Sequence, residues 1–216
     1  MIFSVLKAAA CIAAAATALC AHAAPMGFKD SWMAMGEFGP NWRELYANYA
    51  FTPRDALGAS GLYMRSDDKA RTRDLAELTY TRLLARWNQK EAQSNLWFMG
   101  GVGTLRGNDF SGNKTMFTPG VQYDYETKRL YFAATARLYR APGVKHDYVS
   151  ARAGFSFYEV DYEETQPWLI VEARRMRDLS DKVEITPMLR LINKGYFIEV
   201  GVNNSRQARF NFMYIF

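Results

Sequence analysis

Apolar and polar side chains alternate along most of this sequence, and the alternation limits the folds open to it. In the segment 129–140, Leu130 and Leu138 occupy one set of alternate positions, and Tyr131 and Arg137 occupy the other. A spacing of two is the period of a β-strand, in which successive side chains point to opposite faces. The alternation therefore predicts strands with one apolar and one polar face.

The same two faces recur in later parts of the chain. The segments that repeat them are 147–158, 167–176, 183–192 and 196–203. No run of about 18 apolar residues follows residue 25, which excludes a bundle of membrane-spanning helices. The mean hydropathy of -0.26 fits a soluble protein, but it also fits a membrane β-barrel, because outward apolar and inward polar residues average out along each strand.

The first residues have the pattern of a secretory signal peptide. Lys7 precedes an apolar, alanine-rich stretch over residues 8–21, and a small-x-small cleavage site ends at Ala23. The apolar stretch is too short to span a membrane. We therefore expect residues 1–23 to be removed and residues 24–216 to form one mature domain.

The last strand carries four aromatic side chains on one face. They are Phe210, Phe212, Tyr214 and Phe216. This strand, which ends on phenylalanine, resembles the closing strand and assembly signal of Gram-negative outer-membrane β-barrel proteins. The resemblance implies a location in the bacterial outer membrane, contact with its lipid and lipopolysaccharide, and delivery by the barrel-assembly machinery. The alternative is a soluble periplasmic β-barrel that binds an apolar ligand against an interior aromatic wall.

Turn residues divide the rest of the chain into strands of similar length. The predicted strands are 31–38, 42–51, 57–65, 73–85, 95–105, 115–125, 129–140, 147–158, 167–176, 183–192, 196–203 and 207–216. Each strand with its connection then has about 16 residues, and a tilted strand needs roughly 9–11 to cross a bilayer. We therefore predict an all-β fold, a single antiparallel transmembrane β-barrel of twelve strands. Ten strands are the alternative, because a bacterial barrel of this kind has an even number.

Two local features depart from the simple strand pattern. The leucines of segment 73–93 partly fit a helical face. We expect a strand there, since residues 79–81 read Thr-Tyr-Thr and a helix would leave an odd number of strands. Pro119 and Pro187 fall inside predicted strands, where each removes a backbone donor, so we expect a bulge or break at both.

The inward face predicts a charged lumen. Its lumen and selectivity candidates are Arg137, Arg152, Arg174, Arg190, Glu77, Glu172, Glu184 and Glu199. Twelve strands enclose less space than an aqueous porin and more than an eight-stranded barrel, which its own side chains fill. Arginines in an open lumen favour a small anionic solute. Burying an unpaired charge costs free energy, which favours pairing of the charges across the interior. Such pairs would plug the lumen. A porin-like small channel and a structural barrel are therefore both open.

The supply of reactive residues argues against an enzyme. Cys11, Cys20 and His22 fall in the predicted signal peptide, which leaves His146 as the single histidine of the mature chain. Outer-membrane lipases and lipid A deacylases typically need a serine two positions after the histidine, and Tyr148 stands there. We interpret His146 as an ordinary loop residue and predict no catalytic residue, no metal site and no cofactor. A lipid-modifying enzyme of the outer membrane is the remaining alternative.

Basic side chains are frequent in the connections predicted to face the cell exterior. They are Lys69, Arg71, Arg73, Arg140, Lys145, Arg177, Lys182 and Arg206. Guanidinium and ammonium groups bind phosphates through charge-assisted hydrogen bonds. We therefore expect contacts with lipopolysaccharide at this surface, and no nucleic acid partner.

Overall fold

A computed structural model describes residues 24–161, 163–180 and 182–216 of the chain. The predicted signal peptide, residues 1–23, lies outside the described residues. Within the described ranges, no helix has the length and apolar character that crossing a membrane would require.

Thirteen strand segments form one antiparallel sheet that closes on itself. The segments are β1 (Trp32–Phe38), β2 (Trp42–Ala50), β3 (Asp55–Arg65), β4 (Thr72–Asn88), β5 (Ala92–Gly107), β6 (Lys114–Phe117), β7 (Gly120–Thr127), β8 (Leu130–Ala141), β9 (Val144–Ser156), β10 (Gln166–Arg177), β11 (Glu184–Asn193), β12 (Tyr196–Val202) and β13 (Ala208–Ile215). Because β6 and β7 both lie between β5 and β8, they are two parts of one barrel strand. The twelve-stranded barrel predicted from the sequence is confirmed.

The first and last strands join to close the barrel. β1 pairs with β13 from Met33 opposite Ile215 to Phe38 opposite Phe210, and the Trp32 amide donates to the Phe216 carbonyl over 2.8 Å. Both ends of the described chain therefore lie at one rim, which we call the inner rim. The opposite rim, which carries the β3–β4 and β10–β11 connections, is the outer rim.

The two prolines behave differently. At Pro119 the strand is interrupted between β6 and β7, as predicted. At Pro187 the prediction is wrong, because β11 continues without a break and Pro187 stays in register with Val171 of β10. The pairing of β11 with β12 begins only at Met188, so Pro187 lies beyond that ladder and its missing N–H interrupts nothing.

The ambiguous segment 73–93 is a strand over most of its length. β4 runs from Thr72 to Asn88 and pairs with β3 and β5 on its two sides. Thr79 and Thr81 face the interior and are buried, whereas Leu78 faces outward and is 70% exposed. The leucines that suggested a helical face are therefore divided between the two faces of a strand, with one irregularity of register between Leu83 and Ala85.

Away from the rims, the outward face of the barrel is mainly apolar, and the buried charges lie inside. The predicted outward residues that are exposed include Leu130, Leu138, Val149, Val171, Ile185, Leu189, Leu191, Ile198 and Val200. A membrane barrel requires this arrangement, because an outward arginine at mid-bilayer costs about 2–4 kcal/mol. A soluble barrel that binds an apolar ligand needs the reverse, with apolar residues inside and polar residues in water.

Candidate functional site

Alternate inward positions of six strands bring four arginines and four glutamates together in one chain of contacts. We call this set the arginine–glutamate network. Its members are Glu37 on β1, Arg152 on β9, Glu172 and Arg174 on β10, Glu184 and Arg190 on β11, Glu199 on β12 and Arg209 on β13. The network has equal numbers of positive and negative charges, and each charged side chain contacts at least one of opposite sign. Such pairing offsets the free-energy cost of removing the charges from water.

Arg209 joins several strands at the outer half of the network. Its guanidinium contacts Glu184 at 2.6 Å, Glu37 at 2.7 Å and Glu172 at 3.4 Å. Arg174 also contacts Glu37 and Glu184. The side chains of both arginines are almost fully buried, so these contacts tie β1 to β10, β11 and β13 across the closure of the barrel.

Glu199 holds the inner half of the network. Its carboxylate accepts hydrogen bonds from Arg190 at 2.7 Å and Asn211 at 2.7 Å, and from Arg152 at 3.2 Å. Arg190 also lies between two aromatic rings, 4.7 Å from the centroid of Tyr131 and 4.8 Å from that of Phe197. Glu199 is completely buried, and its charge is therefore balanced only by these fixed donors.

A second charged group, the Glu77 cluster, lies on the opposite wall. Glu77 accepts hydrogen bonds from Ser60 at 2.9 Å, Thr118 at 2.5 Å and Arg137 at 2.5 Å, and Arg137 also contacts Glu44 at 3.5 Å. The interruption at Pro119 brings Thr118 to this carboxylate. Gly101 and Gly103 on β5 give it room, because a Cβ atom at either position would lie within 2.6 Å of Glu77.

All eight charged residues predicted for the lumen lie in the interior. Six of them belong to the arginine–glutamate network, and the other two, Glu77 and Arg137, form the core of the Glu77 cluster. Sequence reasoning missed Glu37, Glu44 and Arg209. The signal was present: Glu37 shares the inward face of Met33 and Met35, and Arg209 lies on the face opposite Phe210 in the last strand.

A cavity of about 160 Å³ separates the two charged walls. Its charged lining residues are Glu37, Glu44, Arg137 and Arg152, and its aromatic ones are Trp42, Tyr46, Tyr80, Tyr131, Tyr139, Tyr148 and Phe197. A single buried water needs only about 10–15 Å³ of such space, so the cavity has room for several. The interior of this barrel is therefore not filled by its own side chains.

Apolar side chains close the cavity toward the outer rim. The outer apolar cluster consists of Trp42, Leu62, Met64, Leu75, Leu105, Met116, Tyr139, Val144, Met176 and Leu179, with Phe110 packed against it. Nine of the ten come from strands β2 to β6 and β8 to β10, and Leu179 comes from the β10–β11 connection. Hydrophobic constrictions of this kind exclude water and gate channels by dewetting.

Two connections meet above this cluster. Asp67 of the β3–β4 connection accepts hydrogen bonds from Ser180 and Asn41, both at 2.7 Å, and its amide donates to the Leu179 carbonyl at 3.2 Å. Six barrel strands separate the two connections in either direction, so the contact crosses the mouth. We call it the loop bridge, and it holds Leu179 in the outer apolar cluster.

The N-terminal end of the described chain closes the inner rim. Asn48 donates to the Pro25 carbonyl at 2.9 Å, and Ala24 and Pro25 line the cavity. Met26 is buried beside Trp97 in a cluster with Ala50, Ala56 and Leu83. The terminal segment therefore closes the inner end of the cavity, and Leu179 of the β10–β11 connection completes a closure of the outer end that strand residues otherwise form.

His146 is not the loop residue that the sequence suggested. It lies within β9, is 1% exposed and stacks on Tyr139 with 4.3 Å between ring centroids. The error came from starting β9 at Asp147, whereas the strand begins at Val144. Neither ring nitrogen has a hydrogen-bond partner among the described residues, so the imidazole has no serine positioned for base catalysis. No group of three or more histidine, cysteine or carboxylate side chains in the described ranges suits a metal ion.

Arg73, which the sequence assigned to the exposed basic surface, is buried at the outer rim. It donates to Asp109 of the β5–β6 connection at 2.6 and 3.3 Å. The hydrogen bond from Arg73 lowers the pKa of the Asp109 carboxyl. This group is therefore committed to an internal ion pair and is not available to lipopolysaccharide.

The Asp109 pair predicts a pH-dependent loop. Because the pKa of Asp109 is lowered in the folded protein, the ion pair stabilises the folded connection fully at pH values above the ordinary aspartate pKa of about 4. This stabilisation is lost as the pH falls through the lowered pKa of Asp109. Hydrogen exchange of amides 108–113, corrected for the intrinsic effect of pH, should become faster at about pH 3. Asp109→Asn should reproduce the faster exchange at neutral pH. Equal protection in the variant and the wild type at neutral pH would contradict the prediction.

Comparison with solved structures finds proteins of similar fold, whereas comparison of the sequence finds none. No protein-family model and no curated protein matches the sequence. A KdgM porin solved in complex with disordered oligogalacturonate is similar in structure, with a TM-score of 0.50 and 16% identity over 85% of this chain and 98% of that chain. A second KdgM porin structure has a TM-score of 0.48 and 14% identity over the same shares. OmpTdeltaL8, a loop-deletion mutant of an outer membrane protein of Vibrio cholerae, has a TM-score of 0.30 and 8% identity over 87% and 98%. This chain has the fold of an outer-membrane β-barrel protein.

Proposed function

We propose that the protein is a gated, porin-like channel of the outer membrane that passes small acidic, hydroxyl-rich solutes. The observation that carries the proposal is the cavity of about 160 Å³ between two charged walls, closed at the inner end by the N-terminal segment 24–26 and at the outer end by an apolar cluster that the connection carrying Leu179 completes. Such segments are able to move without breaking the ladder of the barrel. We further propose that residues 1–23 are a cleaved signal peptide and that the aromatic face of β13 is the assembly signal.

The chemistry of the cavity wall supports an acidic solute. Arg137 and Arg152 line the cavity and keep 14% and 18% of their side chains exposed, whereas Arg174, Arg190 and Arg209 are buried behind them. Guanidinium groups bind carboxylates in a forked geometry, and the aromatic rings beside them offer flat apolar surfaces to a sugar ring. The similar porin that was solved with oligogalacturonate fits this choice of solute.

A structural barrel with a permanently closed lumen is the second candidate. The balanced arginine–glutamate network favours it, because each buried arginine of the network already has a carboxylate partner. The two candidates differ in ion conductance. Only a channel conducts when the segments that close it are released.

Conductance in a planar bilayer tests the proposal. We expect the wild type to show brief openings, and Asp67→Ala, which removes two side-chain contacts of the loop bridge, to show longer ones. In the open state, Arg152→Gln should lower the ratio of anion to cation permeability by a factor of about two or more. Arg152 is suitable for this substitution because its loss leaves neither carboxylate unpaired. Glu199 still contacts Arg190, and Glu172 still contacts Arg209.

Arg175→Gln is the matched control for selectivity, because Arg175 lies on β10, the strand that pairs with the strand of Arg152, but is exposed and faces away from the lumen. Its permeability ratio should equal that of the wild type. If neither the wild type nor Asp67→Ala conducts, the channel is refuted and the structural barrel is supported.

A further inference from the structure

A depression of about 630 Å³ lies on the outward face of β2 to β5, close to the outer rim. Its outward lining residues are Phe38, Arg43, Leu45, Gly61, Tyr63, Asp74, Ala76, Thr104, Arg106 and Asn113. It is separate from the cavity of the barrel, which the inward residues of the same strands enclose. The depression therefore faces the membrane, near the rim opposite the one at which both ends of the described chain lie.

The strand register divides the floor of this depression into two rows. Leu45, Gly61, Ala76 and Thr104 are mutual neighbours across the four strands and form the row nearer mid-membrane. A Cβ atom added at Gly61 would meet nothing within 4 Å, which shows that the space above it is open. The next row toward mid-membrane contains Ala47 and Ala59. The small side chains at Ala47, Ala59, Gly61 and Ala76 form a shallow track beside the larger exposed Leu45 and Leu78.

The row nearer the outer rim is polar. Arg43, Tyr63, Asp74 and Arg106 are mutual neighbours across the same four strands. Strands lie about 4.8 Å apart, so the two arginines flank the row at a separation of roughly 14 Å. The Arg43 guanidinium lies over the Tyr63 ring, 5.6 Å from its centroid, and Arg106 donates to the amide oxygen of Asn113 at 3.2 Å. Both cations are exposed at the level where lipid headgroups begin.

We propose that this depression binds a phosphorylated glycolipid of the outer leaflet. Its acyl chain lies over Gly61 and Ala76, and phosphates at the two ends of its sugar headgroup contact Arg43 and Arg106. Two separated cations match a headgroup with a phosphate at each end, and Asp74 between them accepts hydrogen bonds from sugar hydroxyls. The charged row therefore favours a charged headgroup, because a purely apolar partner would form no ion pair with Arg43 or Arg106.

Native mass spectrometry of the full barrel in detergent micelles tests this site with lipid A that carries two phosphates. We expect the wild type to retain it, and R43Q/R106Q to bind it on the order of tenfold more weakly or worse. Gly61→Phe should also lose binding, because the ring occupies the track. This substitution does not threaten folding, since its Cβ atom meets open space.

Matched controls are available on the opposite wall. Arg175→Gln removes an exposed arginine of β10, and Ala151→Phe adds a ring to the exposed face of β9. Both should bind lipid A as the wild type does.

Four results would overturn the proposal or its assignment. An equal loss of lipid A binding in the controls, or no loss in R43Q/R106Q, overturns the proposal. Equal binding of phosphatidylglycerol, which has one phosphate and no phosphorylated sugar, overturns the assignment to a glycolipid. A wild-type dimer that Gly61→Phe converts to a monomer would show that the depression is an interface between copies of the chain, and it also overturns the proposal.

Discussion

A disulfide between positions 67 and 180 is expected to abolish the channel current, and its reduction to restore it. The Ser180 hydroxyl lies 2.7 Å from the Asp67 carboxylate, so a pair of cysteines is close enough to be oxidised directly or joined by a short thiol reagent. The link would fix Leu179 in the outer apolar cluster and keep the constriction dry. Single-channel recordings before and after addition of a reductant measure the effect.

The background of this experiment is free of interfering thiols. The two natural cysteines are Cys11 and Cys20, both in the segment that we propose is removed. Asp67→Cys and Ser180→Cys, each alone, control for the oxidant and for the loss of the hydrogen bond. Reduced D67C/S180C should be at least as open as the wild type, because it lacks the Asp67 carboxylate. A current that is identical in the oxidised and reduced double variant would refute the loop bridge as the gate.

Replacing Glu199 by glutamine is expected to destabilise the barrel by about 3–5 kcal/mol, the cost of leaving a buried ion without its partner. Arg190 would keep its place between Tyr131 and Phe197 but would have an amide where it had a carboxylate. Arg152 suffers less, since Glu172 remains 3.3 Å away. Urea unfolding of the barrel in detergent, followed by heat-modifiable migration on a gel, measures the loss.

A second variant separates the ion pair from simple packing. Arg190→Met combined with Glu199→Gln removes the unpaired cation and retains an acceptor for Asn211, so most of the stability should return. Glu163→Gln provides a surface comparison, because Glu163 pairs with Lys194 in exposed surroundings, where such pairs contribute roughly 0–1 kcal/mol. If Glu199→Gln is as mild as Glu163→Gln, the network does not stabilise the barrel.

The strands and their faces were predictable because each depends on neighbours in sequence. Alternation alone separates Leu130 from Tyr131 and Glu199 from Val200, and the barrel keeps both separations. The segment around Leu78 was harder, because helix formers are abundant there. The requirement for an even number of strands favoured a strand in this segment, and that requirement is a property of the whole chain.

The pairing of charges was not predictable in the same way. Arg209 contacts Glu37, which is 172 residues away in sequence, and only the closure of the barrel brings them together. The loop bridge joins Asp67 to Ser180 across 113 residues and depends on two connections that have no periodicity. His146 was misassigned because strand ends carry weak signals, and three further residues of β9 placed it inside the barrel.

The closing pair of strands has a consequence for how the chain must fold. Met33 pairs with Ile215, so the last contacts of the sheet join residues from the two ends of the sequence. Contacts of such high sequence separation make folding slow. Until they form, β1 and β13 each present a row of unpaired backbone groups, which favour aggregation. We therefore expect the chain to need a binding partner that shields the edges of β1 and β13 until the barrel closes.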